Sequence, residues 1–253
     1  ENNADRWNCT LTRLIFKEED NAILNYQDDD GQQIEPEYYV PIIPMVLVNG
    51  GIGIGTGYST NIPQYNPDDI INICKIICNA IKLSDINIDS LEDIDTIYNT
   101  INILEINEIT PYYLGFKGSI VKAEKNSYIS HGIYRWIDDA TVEITELPIG
   151  TWTEDYKEFL ENMITNNLNN LKYIENHYTS KNVKFILHFN TNVRQNIEKN
   201  FDVLFKLQSS KNLSINNIHL FNKDGAIQKY ETAVEIIKEW SETRILKYFE
   251  RKK

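Results

Sequence analysis

The chain has 253 residues, 42% of them hydrophobic, and carries a net charge of −12 with a sequence pI of about 4.8. This length can form one large domain or two small ones around a real hydrophobic core. No run of about 18 apolar residues occurs, so the sequence indicates no membrane span. The acidic balance argues against a protein that wraps nucleic acid by charge alone, although a local basic patch stays compatible with DNA binding.

The first residues and the potential metal ligands narrow the class further. Residues 1–5 contain no Met and no basic or apolar signal region, so we expect a piece of a longer protein. Cys74 and Cys78 are four residues apart on a predicted helix, and with Cys9 they make no disulfide framework. We expect both to be small apolar core residues in a reducing compartment. The histidines show no metal-ligand spacing, and no metal site is predicted among His131, His177, His188 and His219.

The first predicted elements lie before residue 84. Residues 28–31 are predicted to form a turn. Residues 41–48 are predicted to be buried extended chain, because prolines interrupt a short apolar run. A helix is then predicted with Asn66 as its N-cap and Pro67 at its first position. Its apolar residues recur at helical spacing as far as Ile81.

The remaining chain alternates between strand and helix patterns. Residues 85–108 are rich in acidic side chains, and we interpret them as a solvated, mobile insertion. Alternating apolar residues predict strands, and helical spacing predicts the helices between them. The predicted strands are 118–124, 128–137, 141–147 and 183–189, and the predicted helices are 153–171, 193–200 and one that begins at Thr232. Residues 220–227 are predicted to be a hairpin with an Asp-Gly turn.

The glycine-rich stretch at residues 46–59, VLVNGGIGIGTGYS, is the strongest local signal. Its glycines alternate from Gly51 to Gly57, whereas a dinucleotide-binding loop needs the spacing G-x-G-x-x-G followed at once by a helix. Glycines in an extended segment instead indicate a bend or a close approach of backbone to another body. Ile54 would then be an exposed apolar wedge of the kind that enters a DNA base step. The alternative is an ordinary buried isoleucine beside a tight turn, and the residue pattern alone favours that alternative.

Several motifs in one order resemble a known family. Residues 35–50, EPEYYVPIIPMVLVNG, and residues 53–59, GIGTGYS, followed by IP at 62–63, resemble the eukaryotic type IIA DNA topoisomerases, the topoisomerase II family. Further similar motifs are EITELP at 143–148 with TWT at 151–153, FKLQSS at 205–210, and KDG at 223–225. The resemblance runs from about Thr10 to Lys253.

The resemblance implies a fold of the α+β class in three parts. Residues 1–64 would be the end of a winged-helix domain, 65–230 an α/β tower domain with an antiparallel sheet, and 231–253 the start of a coiled coil. The parent protein would pass one DNA duplex through a transient tyrosine-linked break in another. It would use ATP and Mg²⁺ bound outside this chain, and it would be a homodimer joined at the winged-helix and coiled-coil gates. Its expected location is the nucleus, with a viral or organellar location as the alternative.

The resemblance also implies a set of DNA-contacting residues. Ile54 takes the role of the wedge that intercalates into the gate DNA and bends it. The other positions that match DNA contacts of the family are Gly53, Gly55, Thr56, Lys206, Gln208, Ser209, Ser210 and Asn216. For Lys206 the competing interpretation is a solvated surface lysine.

The sequence departs from the family pattern at four places. Gly51 and Ile52 replace the residues usual before the G-I-G motif, so Ile52 could compete as the protruding residue. Gly150 stands where the family has an arginine, and two extra residues lie between the FKLQSS motif and Asn216. The nucleophilic tyrosine would fall near Asn3, but no tyrosine occurs before residue 26, and the indole of an Arg-Trp pair at 6–7 cannot replace it.

The missing tyrosine leaves two interpretations open. Either the nucleophile lies upstream of Glu1, or the chain comes from a catalytically silent relative that binds and bends DNA as a scaffold. A third possibility is a bacterial-type gyrase protein, which the motifs at 35–50 and in the tower segment disfavour.

Overall fold

The computed structural model describes residues 10–55, 57–83, 91–123, 126–179, 182–211 and 213–252. They form two compact units. Unit 1 comprises Glu1–Ile109 and Asn217–Lys253, and unit 2 comprises Thr110–Asn216. Helices occur with antiparallel strand pairs in the described residues, which confirms the predicted α+β class. These units are not divided at residues 64 and 230, and the winged-helix, tower and coiled-coil assignments stay predictions.

The described elements alternate along the chain. The helices are α1 (Thr10–Ile15), α2 (Met45–Asn49), α3 (Pro67–Leu83), α4 (Leu91–Ile103), α5 (Thr153–Thr165), α6 (Arg194–Ile197), α7 (Phe201–Leu204) and α8 (Ala233–Lys252). Short 3-10 turns span Glu18–Ile23, Leu168–Asn170 and Glu198–Asn200. The strands are β1 (Tyr26–Asp29), β2 (Gln32–Pro36), β3 (Gly51–Gly55), β4 (Tyr58–Ile62), β5 (Ser119–Lys122), β6 (Tyr128–His131), β7 (Ile133–Asp138), β8 (Thr141–Glu146), β9 (Leu171–Asn176), β10 (Phe185–Phe189), β11 (Gln208–Ser209), β12 (Ile218–Phe221) and β13 (Ile227–Tyr230).

The core of unit 1 is built where α3, α4 and α8 pack together. The cap of α3 is as predicted, since the Asn66 side-chain oxygen accepts a hydrogen bond of 3.0 Å from the Asp68 backbone N–H. The interpretation of residues 85–108 as a solvated insertion is wrong for α4, because Ile97 and Ile101 are fully buried in this core. Residues 84–90 of that stretch lie outside the described residues.

The side chain of Lys238 on α8 fastens the end of α4. Its Nζ donates to the backbone carbonyls of Asn102, at 3.0 Å, and Leu104, at 2.7 Å. These carbonyls lie at the C-terminal end of α4, where backbone acceptors lack partners within the helix and where a cation is favoured. One lysine thus satisfies two acceptors and ties the helix to α8.

A buried ion pair joins α8 to the 3-10 turn at Glu18–Ile23. The Nη1 atom of Arg244 lies 2.6 Å from Asp20 Oδ2 and 3.0 Å from the carbonyl oxygen of Val40. Arg251 Nη1 reaches the other oxygen of Asp20 at 3.1 Å. The side chains of Arg244 and Asp20 are only 2% and 5% exposed. The carboxylate therefore neutralises a guanidinium that has almost no access to water.

A short helix precedes the glycine-rich stretch. The prediction of extended chain at residues 41–48 is wrong, because α2 begins at Met45 directly after Pro44. Leu47 of α2 is fully buried, and its carbonyl accepts a hydrogen bond of 2.8 Å from the Tyr65 N–H. Gly50 ends the helix with φ of 65°, and a Cβ there would lie 2.8 Å from the Ile62 carbonyl oxygen. Gly50 is therefore required by the fold itself.

Unit 2 contains a four-stranded sheet in the order β7-β8-β10-β9 and a three-stranded sheet in the order β11-β6-β5. The single strand predicted at 128–137 is two strands, one in each sheet. The break occurs at Gly132, whose N–H donates to the Leu207 carbonyl at 2.8 Å. A Cβ at this position would clash with the backbone of Glu146, so the glycine permits the chain to cross between the sheets.

One helix was predicted too long in this unit. The helix predicted at 153–171 ends at Thr165, and left-handed φ values at Asn167, Asn169 and Asn170 turn the chain into β9. Helix α5 packs against β9 over a core that includes Leu160 and Leu187.

The cysteine expectation is half correct. Burial raises the pKa of the half-buried Cys74 thiol to about 12, so this thiol is inert. Cys78, in contrast, is exposed, so its interpretation as a core residue is wrong. Among the described residues, no helix is both long and apolar enough to cross a membrane.

Candidate nucleic-acid interface

The glycine-rich stretch forms a regular hairpin in unit 1. Strands β3 and β4 pair antiparallel, with Ile52 opposite Asn61 and Ile54 opposite Ser59. Gly57 turns the chain with φ of 82°. Thr56, predicted as a DNA contact, lies outside the described residues. The first helix after the hairpin begins only at Pro67, so the hairpin lacks the strand-loop-helix arrangement of a phosphate-binding loop.

The two faces of this hairpin differ in character. Because side chains alternate along a strand, Ile52 and Ile54 project from one face and the glycines of β3 lie on the other. Ile54 is 90% exposed and Ile52 is 69% exposed. The interpretation of Ile54 as a buried core residue is therefore wrong. Two isoleucines project side by side, where the sequence analysis expected one wedge flanked by bare backbone.

The glycines of β3 are not explained by packing within the protein. A Cβ at Gly51 would have no neighbour within 4 Å, and at Gly55 the nearest atom would be 3.8 Å away. At Gly53 it would lie 3.6 Å from a methyl group of Thr60, which is ordinary contact. None of the three has a φ that requires glycine. Their lack of side chains leaves one face of the strand open to close approach by another body.

The outer side of the hairpin is anchored by β12, a feature that the sequence analysis missed. The N–H of Asn61 donates to the Asn217 carbonyl at 2.8 Å, and the Asn217 side-chain amide donates to Ser59 Oγ at 2.7 Å. The His219 N–H donates to Thr60 Oγ1 at 3.1 Å. These bonds fix the hairpin from one side and leave β3 as its outer strand. No local signal marked them, because they join segments far apart in sequence.

The hairpin lies in a stretch without formal charge. Residues 38–67 contain no Asp, Glu, Lys, Arg or His. Any contact made by the hairpin tip therefore depends on shape, apolar area and hydrogen bonding rather than on ion pairing. A contact of this kind releases few counterions and changes little with salt.

The second group of predicted contacts lies in unit 2, after α7. Lys206 is exposed and adopts a left-handed φ of 49°. The N–H of the next residue, Leu207, donates to the Asp202 carbonyl at 2.7 Å, which ends the helix. The Lys206 ammonium lies 4.2 Å from the ring centre of Phe159, a cation–π contact. Lys206 thus has a partner, and its charge is still accessible.

A buried tyrosine holds the chain just before Lys206. The hydroxyl of Tyr156 on α5 donates to the Phe205 carbonyl at 2.8 Å, and burial raises the pKa of this tyrosine. The bond joins the rigid core of unit 2 to the FKLQSS segment. Tyr156 is a second residue that the sequence analysis did not assign to the site.

The remaining predicted residues lie on or near the edge strand β11. Gln208 pairs with His131 and Ser209 with Ser130 of β6. Ser209 Oγ accepts a hydrogen bond of 3.1 Å from the Lys211 N–H, so this hydroxyl is partly engaged. Ser210 and Asn216 are exposed. The structure places these residues together in unit 2, and places Gly53, Ile54 and Gly55 together in unit 1.

Two tyrosines of the described residues have pKa values shifted away from nucleophilic activity. Burial and the Asp202 carboxylate raise the pKa of Tyr134 to about 12. Burial and a hydrogen bond to Glu239 likewise raise the pKa of Tyr230. A phenolate nucleophile needs a lowered pKa or an adjacent base, so these two groups are poor substitutes for it. The place near Asn3 where the family tyrosine would fall lies outside the described residues.

Comparison with known proteins identifies the family. Residues 9–253 match the family model that describes the A-type chain of DNA gyrase and topoisomerase IV. The chain is 39% identical to DNA topoisomerase 2 of Plasmodium falciparum and 37% identical to that of Arabidopsis thaliana, over 96% of its own length but only 16% and 15% of theirs. A mitochondrial DNA topoisomerase 2 of Dictyostelium discoideum is 34% identical over 96% of this chain and 17% of its own.

A solved structure agrees with the sequence relatives. The crystal structure of the Plasmodium falciparum topoisomerase II DNA-binding, cleavage and re-ligation domain matches with a TM-score of 0.79 and 37% identity. The match covers 95% of this chain and 30% of that one. The chain therefore belongs to the DNA gyrase/topoisomerase IV family of A-type chains, and within it resembles the eukaryotic DNA topoisomerases 2.

Proposed function

We propose that this chain is the part of an ATP-dependent type II DNA topoisomerase that binds and bends the gate DNA. The observation that carries the proposal is the uncharged hairpin with Ile54, 90% exposed, at its end. An apolar side chain inserted between base pairs unstacks one step at a cost of a few kcal/mol, and the bent duplex then contacts more protein. The glycine face of the hairpin suits close approach to the walls of a narrow groove.

Unit 2 supplies a second, different kind of contact in this proposal. Lys206 would neutralise a phosphate, and the amide of Gln208 and the hydroxyls of Ser209 and Ser210 would donate to phosphate or minor-groove acceptors, as would Asn216. Phosphate contacts position the duplex without reading its sequence. The hairpin would supply the deformation and unit 2 the grip.

The chemistry of strand cleavage would come from outside the described residues. No group of three or more His, Cys, Asp or Glu side chains among them could hold a metal ion. The described residues thus do not fit a Mg²⁺ site, and the Mg²⁺ and ATP of the parent protein would be bound elsewhere. The parent protein would be a homodimer in which α8 leads into the coiled-coil gate. We place it in the nucleus, with the organelle named for the Dictyostelium relative as the alternative.

The second candidate is a silent DNA-bending relative, favoured by the absence of a tyrosine before residue 26. Decatenation of linked DNA circles by the full-length protein with ATP and Mg²⁺ separates the two. Activity would require a nucleophile upstream of Glu1. Loss of decatenation with DNA bending intact would assign the chain to the silent relative.

The wedge itself is tested on a short duplex that carries a fluorophore at each end. Ile54→Ala in the full-length protein should reduce the bend reported by energy transfer, because the alanine methyl is too short to hold a base step open. Ile103→Ala is the matched control, since Ile103 is 78% exposed on α4. A bend that is equal in both variants would contradict the assignment of Ile54.

A further inference from the structure

We propose that Ile52 and Asn61 form a second contact with the DNA minor groove, adjacent to the wedge at Ile54. The inference rests on the proposed function of the hairpin. It adds two residues that the family resemblance did not supply, one of them at a position where this sequence departs from the family pattern.

The register of the hairpin places the pair beside the wedge. Ile52 lies directly opposite Asn61, and the pair Ile54–Ser59 is the next pair on the same face. Residues two apart on a strand are separated by about 6.8 Å. Two base steps of B-form DNA span about the same distance, since each base step rises about 3.4 Å. Where β3 follows the groove, Ile52 meets the groove two steps from the site entered by Ile54.

The exposure of Ile52 supports an external partner. It is 69% exposed, so most of its side chain forgoes the free energy that burial of apolar surface provides. Its exposed surface continues that of Ile54, so one apolar stripe runs along the hairpin face. A minor groove presents the apolar edges of deoxyribose on both walls, which suits such a stripe.

Asn61 supplies the polar half of the pair. Its backbone N–H is held by the Asn217 carbonyl, which fixes the strand from behind. Among the described residues, its half-buried side-chain amide has no hydrogen-bond partner. An amide donor suits the N3 of adenine and the O2 of thymine, the acceptors of an A·T minor groove, whereas the amino group of guanine blocks them.

The absence of formal charge at residues 38–67 favours a groove contact over a phosphate contact. A phosphate contact by a lysine would appear in the salt dependence of binding. A contact made by an isoleucine and an amide would not. The pair therefore predicts affinity that is lost without a change in salt slope.

The test uses the full-length protein and the doubly labelled duplex, measured with and without the wedge. Ile52→Ala should weaken binding about tenfold, which corresponds to roughly half of the burial of three carbon atoms, and should leave the bend and the salt slope unchanged. Asn61→Ala should reduce the preference for A·T over G·C at the contacted steps. Replacing guanine by inosine there should restore binding of the unaltered protein to G·C-type duplexes.

Each remaining outcome has a defined meaning. If Ile52→Ala binds and bends like the Ile103→Ala control while Ile54→Ala loses the bend, the second contact is wrong and the proposed function stands. If neither hairpin variant changes bending or affinity, the proposed function fails as well. Ile52→Glu provides a second variant, because a carboxylate facing the groove should weaken binding more than alanine does and most strongly at low salt.

Discussion

The buried ion pair between Asp20 and Arg244 should dominate the stability of unit 1. Asp20→Ala removes the acceptor that lies 2.6 Å from a guanidinium only 2% exposed. Two other nitrogens of Arg244, Nε and Nη2, already lack partners among the described residues. The variant would leave a buried charge with only the Val40 carbonyl as a partner, and such losses cost about 3–5 kcal/mol. We expect the upper part of this range, because Arg251 loses the same carboxylate.

The assay is urea unfolding of the wild type and variants, combined with hydrogen exchange of the amides in α8. Asp20→Asn keeps one oxygen that can accept from Arg244, so it should cost less than Asp20→Ala. The control is Glu198→Ala, which breaks the exposed pair with Arg194 on one helical turn and should cost about 0.3–0.5 kcal/mol. A loss for Asp20→Ala no larger than that of the control would refute the argument from burial.

Three further changes test other parts of the structure. Lys206→Ala should weaken DNA binding uniformly across sequences and lower the salt slope by about one. Lys238→Met should destabilise α4 by about 1.5–3 kcal/mol per charged hydrogen bond lost, seen as faster exchange of its amides. Hydrogen bonding from Arg135 lowers the pKa of Glu143 below its ordinary 4.5, so its stabilising contribution is present above about pH 4.5 and is lost as pH falls. Glu143→Gln should therefore flatten the acid limb of the unfolding curve.

Matched variants guard these expectations. Lys172→Ala removes a lysine outside the predicted contacts and should leave the salt slope unaltered. Lys252→Met at the end of α8 should leave exchange in α4 as it is. Glu161→Gln on α5 should retain the full acid sensitivity. If a variant and its control behave alike in any of these pairs, the corresponding contact makes no measurable contribution.

Local signals predicted the elements whose causes are local. Asn66 and Pro67 define the start of α3 through bonds within one turn, and the Asp-Gly turn after β12 likewise needs only its own residues. The alternation of β8 was also readable, because one face of the strand enters the core. The family resemblance, rather than any of these patterns, directed attention to Ile54.

Other elements depend on contacts that no local pattern contains. Helix α2 forms where Leu47 is buried and bonded to Tyr65, and α4 forms where Ile97 meets α3 and α8. The split between β6 and β7 follows from the close approach of Glu146 to Gly132. The anchors Asn217 and His219 were missed for the same reason, since their partners on β4 precede them by more than half of the chain.

The interruption of unit 1 by unit 2 has a consequence for synthesis on the ribosome. The hairpin emerges early, but the Asn217 side chain that bonds Ser59 follows it by 158 residues. At a translation rate of about 5–20 residues per second, the apolar stripe of the hairpin waits roughly 10 to 30 s for its support. During this interval the nascent chain presents an unsupported apolar edge, and unit 2, which is continuous in sequence, can fold before unit 1 is complete. A nascent-chain chaperone has its longest opportunity to bind at this hairpin.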